Sequence, residues 1–293
     1  MVTQVLPADI LDTSPVARAD SPDIYKMGDN SNVNKPVGDM ALYNLERANR
    51  RLDALEGKPT WDLDDTADFD CMHYLGNAAL DNAGQTLGMQ QGQTVVDIGA
   101  GFSATGRYLH KHYGVDVTGI ELQPEIHQLA EIITQRNGVS DSVRSVNADF
   151  TQLTLDTPVD YIVSFLCILH IPDRDTLFHK AASTLKSGGK IYIEDFFAQT
   201  TFSKDAGDQL RDVLSCPYLP SRDQYISDLT NAGFHDVQFE DVSEEWTEFV
   251  HERALNNRQK GTSAAPLTLF YDTVDALFSS RQLGGARITA TKA

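Results

Sequence analysis

The sequence predicts an α/β fold: a doubly wound sheet of seven strands, a helical cap before it, and a helical insertion between its sixth and seventh strands. Three observations predict it. From residue 93 onward, apolar runs of strand length alternate with stretches of helical period. Glycines crowd the turn after the first of those strands, in VVDIGAGFSATGRYL (95–109). Near the end the alternation breaks into two helices in succession before one last strand.

Residues 1–38 are polar, with Pro7, Pro15, Pro22 and Pro36 spread through them, the composition of a tail or of an extended strap. In 40–57, Leu42, Leu45, Ala48, Leu52 and Leu55 fall at helical spacing, and Gly57 ends the run. The acidic stretch WDLDDTADFD (61–70) reads as a solvated loop and helix cap. Its Asp62, Asp64, Asp65, Asp68 and Asp70 lack the glycine that a calcium loop needs, so no metal is expected there. NAALDNAGQTLGM (77–89) is a second helix, and 39–90 form the cap.

The core spans 91–245. QTVVDIG (93–99) is a strand and SATGRYLHKHY (103–113) a helix; VDVTGIE (115–121) is a strand and PEIHQLAEIITQRNG (124–138) a helix ended by Gly138. SVRSVNAD (142–149) and VDYIVSFL (159–166) are strands, DRDTLFHKAASTLKSGG (173–189) is a helix ended by glycines, and KIYIEDFF (190–197) is the fifth strand. Five strands joined by such crossovers describe a parallel sheet. SRDQYISDLTNAGF (221–234) adds a helix and HDVQFEDVS (235–243) a sixth strand. EEWTEFVHERALNNRQ (244–259) and PLTLFYDTVDALFSSRQLGG (266–285) are then two helices in a row, an insertion over 246–285 that is a candidate lid. ARITATKA (286–293) is the seventh strand.

Composition narrows the function classes. The chain has 293 residues, 41% hydrophobic, enough for one sizeable core with appendages. Lys+Arg 24 against Asp+Glu 42 gives a formal charge of −18, which argues against nucleic acid or an anionic membrane as partner. Cys71, Cys167 and Cys216 form no C-x-x-C pair, in keeping with a reducing compartment. The first twenty residues lack the basic and apolar regions of a signal peptide, and no apolar run is long enough to span a bilayer. A cytoplasmic location is expected.

The glycine turn points to a cofactor, and two cofactor classes write nearly the same line. Gly99-x-Gly101-x-x-Ala104, with Glu121 near the expected ribose acid, fits the nicotinamide dinucleotide fingerprint. Three features separate the classes. Asp97 sits two residues before the first glycine, where dehydrogenases carry an apolar lead. NADF (147–150) places Asp149 at the end of the third strand, where a carboxylate accepts from an exocyclic adenine amine. The chain continues into the insertion and a seventh strand rather than a second mononucleotide-binding half.

On these residues the stretch from about Gln93 to Ala293 resembles the class I S-adenosylmethionine-dependent methyltransferases. The resemblance implies a seven-stranded Rossmann-like methyltransferase sheet and S-adenosyl-L-methionine as cofactor. It places Asp97, Gly99 and Gly101 along the methionine part, Glu121 on the ribose hydroxyls, and Asp149 and Phe150 beside the adenine. Leu122, Phe165 and Tyr74 complete the candidate cofactor set. Many members carry a third glycine where this chain has Ser103. The segment SFLCILHIPDRDTLFHKAASTLKSGGKIYIEDFF (164–197) resembles the branch of sarcosine and dimethylglycine N-methyltransferases and phosphoethanolamine methyltransferases, and MHYLGNAAL (72–80) resembles their motif that closes over the cofactor. The histidine of the L-H-I motif, catalytic in phosphoethanolamine methyltransferases, maps onto His170; Tyr25, Tyr43 and Tyr74 are the candidates for its tyrosine partner.

The implied acceptor is a small polar molecule. An ammonium has no lone pair until a base removes its proton, the role open to His170. A thioether acid, as in the route to dimethylsulfoniopropionate, already has its lone pair and needs no base. Either product is a compatible solute and a cation, which aromatic faces stabilise. Phe197, Tyr218 and Trp246 are the candidate aromatic contacts, and Arg253 the candidate partner for an acidic acceptor. Outside methyl transfer, the readings that remain are a silent cofactor-binding module and a dehydrogenase.

Overall fold

The computed structural model describes residues 45–293. The expected tail over 1–38, the first turn of the helix expected from residue 40, and both Tyr25 and Tyr43 lie outside the described residues.

Seven strands form one sheet in the order β3-β2-β1-β4-β5-β7-β6. They are β1 (Thr94–Ile98), β2 (Asp116–Glu121), β3 (Val143–Asn147), β4 (Val159–Phe165), β5 (Leu185–Ala198), β6 (Phe234–Asp241) and β7 (Leu283–Lys292). β1 to β5 are parallel, and β7 lies antiparallel between β5 and β6. The winding direction reverses between β1 and β4, so a crevice opens beyond the carboxyl ends of those two strands, the usual ligand site of such sheets. Valines and isoleucines fill β1 and β4 because both sheet faces are covered by helices.

The helices are α1 (Leu45–Ala54), α2 (Leu63–Asp70) and α3 (Asn77–Leu87) in the cap; α4 (Ala104–Tyr113), α5 (Pro124–Arg136), α6 (Arg174–Thr184), α7 (Lys204–Asp212) and α8 (Arg222–Asn231) around the sheet; and α9 (Ser243–Lys260) and α10 (Ala265–Ser279) before the last strand. No helix among the described residues is long and apolar enough to cross a membrane.

Four details differ from the sequence reading. The acidic stretch 61–70 is helical from Leu63. Asp65 accepts from the Asp62 amide at 2.7 Å, a capping box that starts the helix, and Thr66, Phe69 and Asp70 turn inward together. Asp70 thereby meets Arg107 of α4 at 2.6 Å, with the two side chains 3% and 1% exposed. Arg107 also donates to the Phe102 carbonyl at 2.6 Å and to Thr134 Oγ1 at 3.2 Å. No group of residues suited to a metal ion occurs among the described residues.

α7 was not expected. It is short and polar, capped by Ser203, and buries only Ala206, Gly207 and Leu210. α6 stops at Thr184, and β5 begins at once, earlier than expected, with Gly188 taking φ +73° inside the strand. Finally, Gly284 and Gly285 do not end a helix. They belong to β7, where a Cβ at Gly284 would overlap the Phe197 ring and one at Gly285 the indole of Trp246.

α9 and α10 pack through Trp246, Val250, Val274, Leu277 and Phe278 onto Phe196 of β5, in a cluster that also holds Tyr74 and Leu169. The insertion is thus seated above the carboxyl end of the sheet.

Candidate active site

A cavity of about 450 Å³ lies in that crevice. Its floor is the turn after β1. The backbone there is left-handed at Gly99 (φ +74°), Gly101 (φ +53°) and Ser103 (φ +60°). The two glycines serve different needs. A Cβ at Gly99 would overlap Cys167 Sγ, so this glycine lets β1 and the loop after β4 pass each other. A Cβ at Gly101 would meet nothing within 4 Å; it faces the cavity and leaves backbone exposed to a ligand. Ser103, where a third glycine is common, adopts the left-handed conformation as the residue before α4.

Glu121 ends β2. Its Oε2 accepts from the Gly101 amide at 2.9 Å and its Oε1 from the Gln123 amide at 2.8 Å, which fixes the carboxylate and leaves a lone pair on each oxygen. Burial pushes its acidity down while those backbone donors oppose the shift. Asp97 is buried beside it, with Oδ2 lacking any partner. Burial first, and the Glu121 charge second, push the Asp97 carboxyl up to about 7. An orphaned carboxylate facing a cavity suits a ligand ammonium, and a second carboxylate with spare lone pairs suits paired hydroxyls. S-adenosyl-L-methionine carries both groups, so the residues present fit it.

The remaining candidate cofactor residues line the same cavity. Asp149 is held at the rim by Thr151, whose amide and hydroxyl donate to its Oδ1 at 2.8 and 2.7 Å. Phe150 is buried against the wall, whereas Leu122 is 60% exposed at the mouth. Phe165 stands 5.4 Å from the His73 ring, and Tyr74 is buried between Trp246 and Phe249.

His170 closes a single 3₁₀ turn, Ile168–His170, just beyond β4. Its Nδ1 lies 2.9 Å from the Ser215 carbonyl. A carbonyl only accepts, so Nδ1 carries the proton and Nε2 keeps its lone pair. Burial, aided by the nearby Arg174 charge, lowers the imidazole to about 4 and keeps it neutral. Asp195 holds the turn in place by accepting from the Leu169 amide at 2.9 Å.

The expected aromatic contacts are corrected. Phe197 sits on the far side of β5 against Phe239, and Trp246 is fully buried on Gly285; neither lines the cavity. Side chains alternate along a strand, so Phe196, not Phe197, faces the cavity. Tyr218 also lies outside the lining, beside Arg174, whose guanidinium is 6.0 Å from its ring centre. Phe270 of α10 contributes instead. Arg253 does line the cavity, over the rings of Tyr74, Phe249 and Tyr271 at 5.9, 5.9 and 4.8 Å. The sequence reading missed Met72 and His73, which also line it, although both lie in the MHYLGNAAL stretch that carried the signal.

Glu121→Ala is expected to weaken cofactor binding at least ~10-fold by calorimetry, because two charge-assisted hydrogen bonds of ~1.5–3 kcal/mol are lost together. An unchanged dissociation constant would remove Glu121 from the ribose site.

The chain matches the family model described as mycolic acid cyclopropane synthetase over residues 64–268. It is 33% identical over 187 residues to phosphoethanolamine N-methyltransferase 1 of Triticum aestivum, covering 61% of this chain and 35% of that one. It is 29% identical over 151 residues to glycine/sarcosine/dimethylglycine N-methyltransferase of Actinopolyspora halophila, covering 51% and 27%. The aligned part thus spans about a quarter to a third of the length of these curated relatives. Among solved structures, the Haemonchus contortus phosphoethanolamine N-methyltransferase 2, in complex with phosphomonomethylethanolamine and S-adenosylhomocysteine, superposes with a TM-score of 0.68 at 22% identity. That match covers 74% of this chain and 52% of the other, and it extends the likeness of fold.

Proposed function

The chain belongs to the mycolic acid cyclopropane synthetase family of class I S-adenosylmethionine-dependent methyltransferases, and from that premise we propose that it methylates a small polar acceptor, an amine of the sarcosine, dimethylglycine or phosphoethanolamine type. The observation that carries this reading is one cavity that gathers Asp97, Gly101, Glu121 and Asp149 at one side and the neutral His170 at the other.

Bound S-adenosyl-L-methionine supplies a methyl group on a sulfonium centre, open to in-line displacement. Asp97 would hold its ammonium end and Glu121 its ribose hydroxyls beside Gly101, with Asp149 and Phe150 at the adenine. The protein's further task is to align the acceptor lone pair and exclude water. Tyr74, Phe196 and Phe270 present apolar faces to a forming cation, and His170 Nε2 accepts the proton of an amine. The α9–α10 insertion acts as the lid over this end.

One observation favours thioether methylation as a second reading. An imidazole lowered to about 4 is a weak base, and a thioether requires none. The test is a panel of small amines and thioether acids with methyl-labelled cofactor, the product identified by mass. Labelled N-methyl product supports the first reading and labelled sulfonium product the second. Cofactor binding without any transfer would make the chain a silent module.

A further inference from the structure

Leu166 is the first residue past β4, and its backbone is left-handed at φ +51°. Its amide still donates to the Glu194 carbonyl at 2.8 Å, so the pairing of β4 with β5 runs one residue into the turn. A leucine gains nothing from that conformation, which glycine, asparagine and aspartate adopt more readily. Strain of this kind persists where the side chain serves a site. Leu166 lines the cavity, and it packs on a cluster that includes Tyr74, Leu169, Phe196, Leu214 and Phe270, which line it too.

That end of the cavity receives a positive charge poorly. Two imidazoles line it, and burial lowers His73 and His170 alike to about 4, so neither holds a second proton. Among the described residues, no carboxylate is free to offset a cation there. Asp70 is bound to Arg107, while Asp97 and Glu121 belong to the cofactor's side. Asp149 and Asp173 are exposed at the rim and accept from Thr151 and Thr176 in their own turns. Asp195 lies outside the lining, and its two oxygens accept from the amides of Leu169 and Phe196. The charges that remain are positive: Arg253 in the lining and Arg174 near His170. Tyr74 and Cys167 are both pushed up by burial and keep their protons. A protonated amine would meet the same conditions as the imidazoles, with N–H donors left over. A quaternary product leaves no N–H unpaired, and the aromatic faces suit it.

We propose that Leu166 is a specificity-determining residue, and that it makes this end admit the reacting atom only uncharged: an amine enters as its free base and a thioether as it is. On entry the ammonium gives its proton to solvent. Burial thus does what so weak a base as His170 could not do alone, and His170 Nε2 relays the proton. This deepens the proposed methyl transfer and rests on it for the identity of the bound atom.

The test is calorimetry between about pH 7.5 and 9 with S-adenosylhomocysteine bound, in buffers of differing ionisation enthalpy. The probes are sarcosine, dimethylglycine, phosphoethanolamine and 3-(methylthio)propionate. An amine that binds is expected to release close to one proton, its affinity rising up to ~10-fold per pH unit below its own pKa near ~10. The thioether acid should release none and show no such slope. Leu166→Asp suits the left-handed backbone and should hold the ammonium. Proton release then disappears, and amine affinity at the lower pH rises ~10-fold or more. Leu166→Asn shares the backbone preference without the charge and should keep most of the release; Leu166→Met, still apolar, should behave as wild type. Binding of the thioether alone, with an amine admitted only by Leu166→Asp, supports the proposal as well. Amine binding without proton release in the wild type, release that persists in Leu166→Asp, or binding by no probe would each overturn it. Failure of the methyl-transfer reading is a separate result: a probe binds with the stated proton release, yet none acquires label from methyl-labelled cofactor.

Discussion

Asp70→Leu is expected to lower the stability of the protein by roughly 3–5 kcal/mol, read as a fall in the urea midpoint at constant slope. The reason is what it leaves behind. Arg107 is 1% exposed, and Asp70 is its carboxylate partner at 2.6 Å. The Phe102 carbonyl and Thr134 hydroxyl would still accept from Nη1, but neither carries charge, and Nε already lacks a partner. A buried cation without a counter-charge is the costly half of a broken pair. Asp70→Leu combined with Arg107→Met should recover most of the loss, since two apolar groups make no such demand. A loss below ~1 kcal/mol for the single variant would mean that neutral acceptors alone satisfy Arg107. The consequence is also functional. The pair ties α2 of the cap to α4, the helix that follows the glycine turn, and Asp70 itself lines the cavity. Cofactor affinity should therefore fall together with stability.

That pair also shows where the sequence is silent. The glycine turn, the acids at the ends of β2 and β3, and the alternation of strand and helix are all local patterns, and each ends up around one cavity. Asp70 could not be read in the same way. Five aspartates in ten residues look solvated, and only the capping box at Asp62 and Asp65, with the helical spacing of Thr66, Phe69 and Asp70, turns one of them inward. Phe197 and Trp246 failed for a complementary reason. Aromatic residues near strand ends are ambiguous until the partner strand is known, and here β7 offers glycines at the two positions their rings fill. The sequence did show those glycines, but a glycine pair after a helix reads first as a helix end. Arg253 entered from the sequence only as a candidate cation for an acidic acceptor; the three rings around it come from α9, α10 and the cap, and only the fold assembles them.

His170→Asn separates the two acceptor chemistries, and for an amine it should cost ~10²–10⁴-fold in kcat/KM. Asparagine keeps an N–H to donate to the Ser215 carbonyl, so the 3₁₀ turn loses a base and little else. With its imidazole lowered to about 4, His170 is neutral throughout pH 6.5–9.5, and its own titration contributes no slope in that window. Asp97, which burial pushes up to about 7, titrates in that window in wild type and variant alike, so the acceptor's proton is read from the ratio of the two proteins and not from either profile alone. For an amine, solution removes more of that proton unaided as pH rises, so the deficit of the variant should shrink toward pH 9.5. For a thioether there is no proton to remove. The substitution then costs alignment alone, a few-fold at most, and the ratio of variant to wild type stays flat. A flat ratio with an amine acceptor would retire His170 as the base and leave it an orienting group held by Asp195 and Ser215. A sloping ratio with a thioether would place a titrating group other than His170 at the reacting end, and Asp195, which burial pushes up to about 6, is the one packed against the same turn.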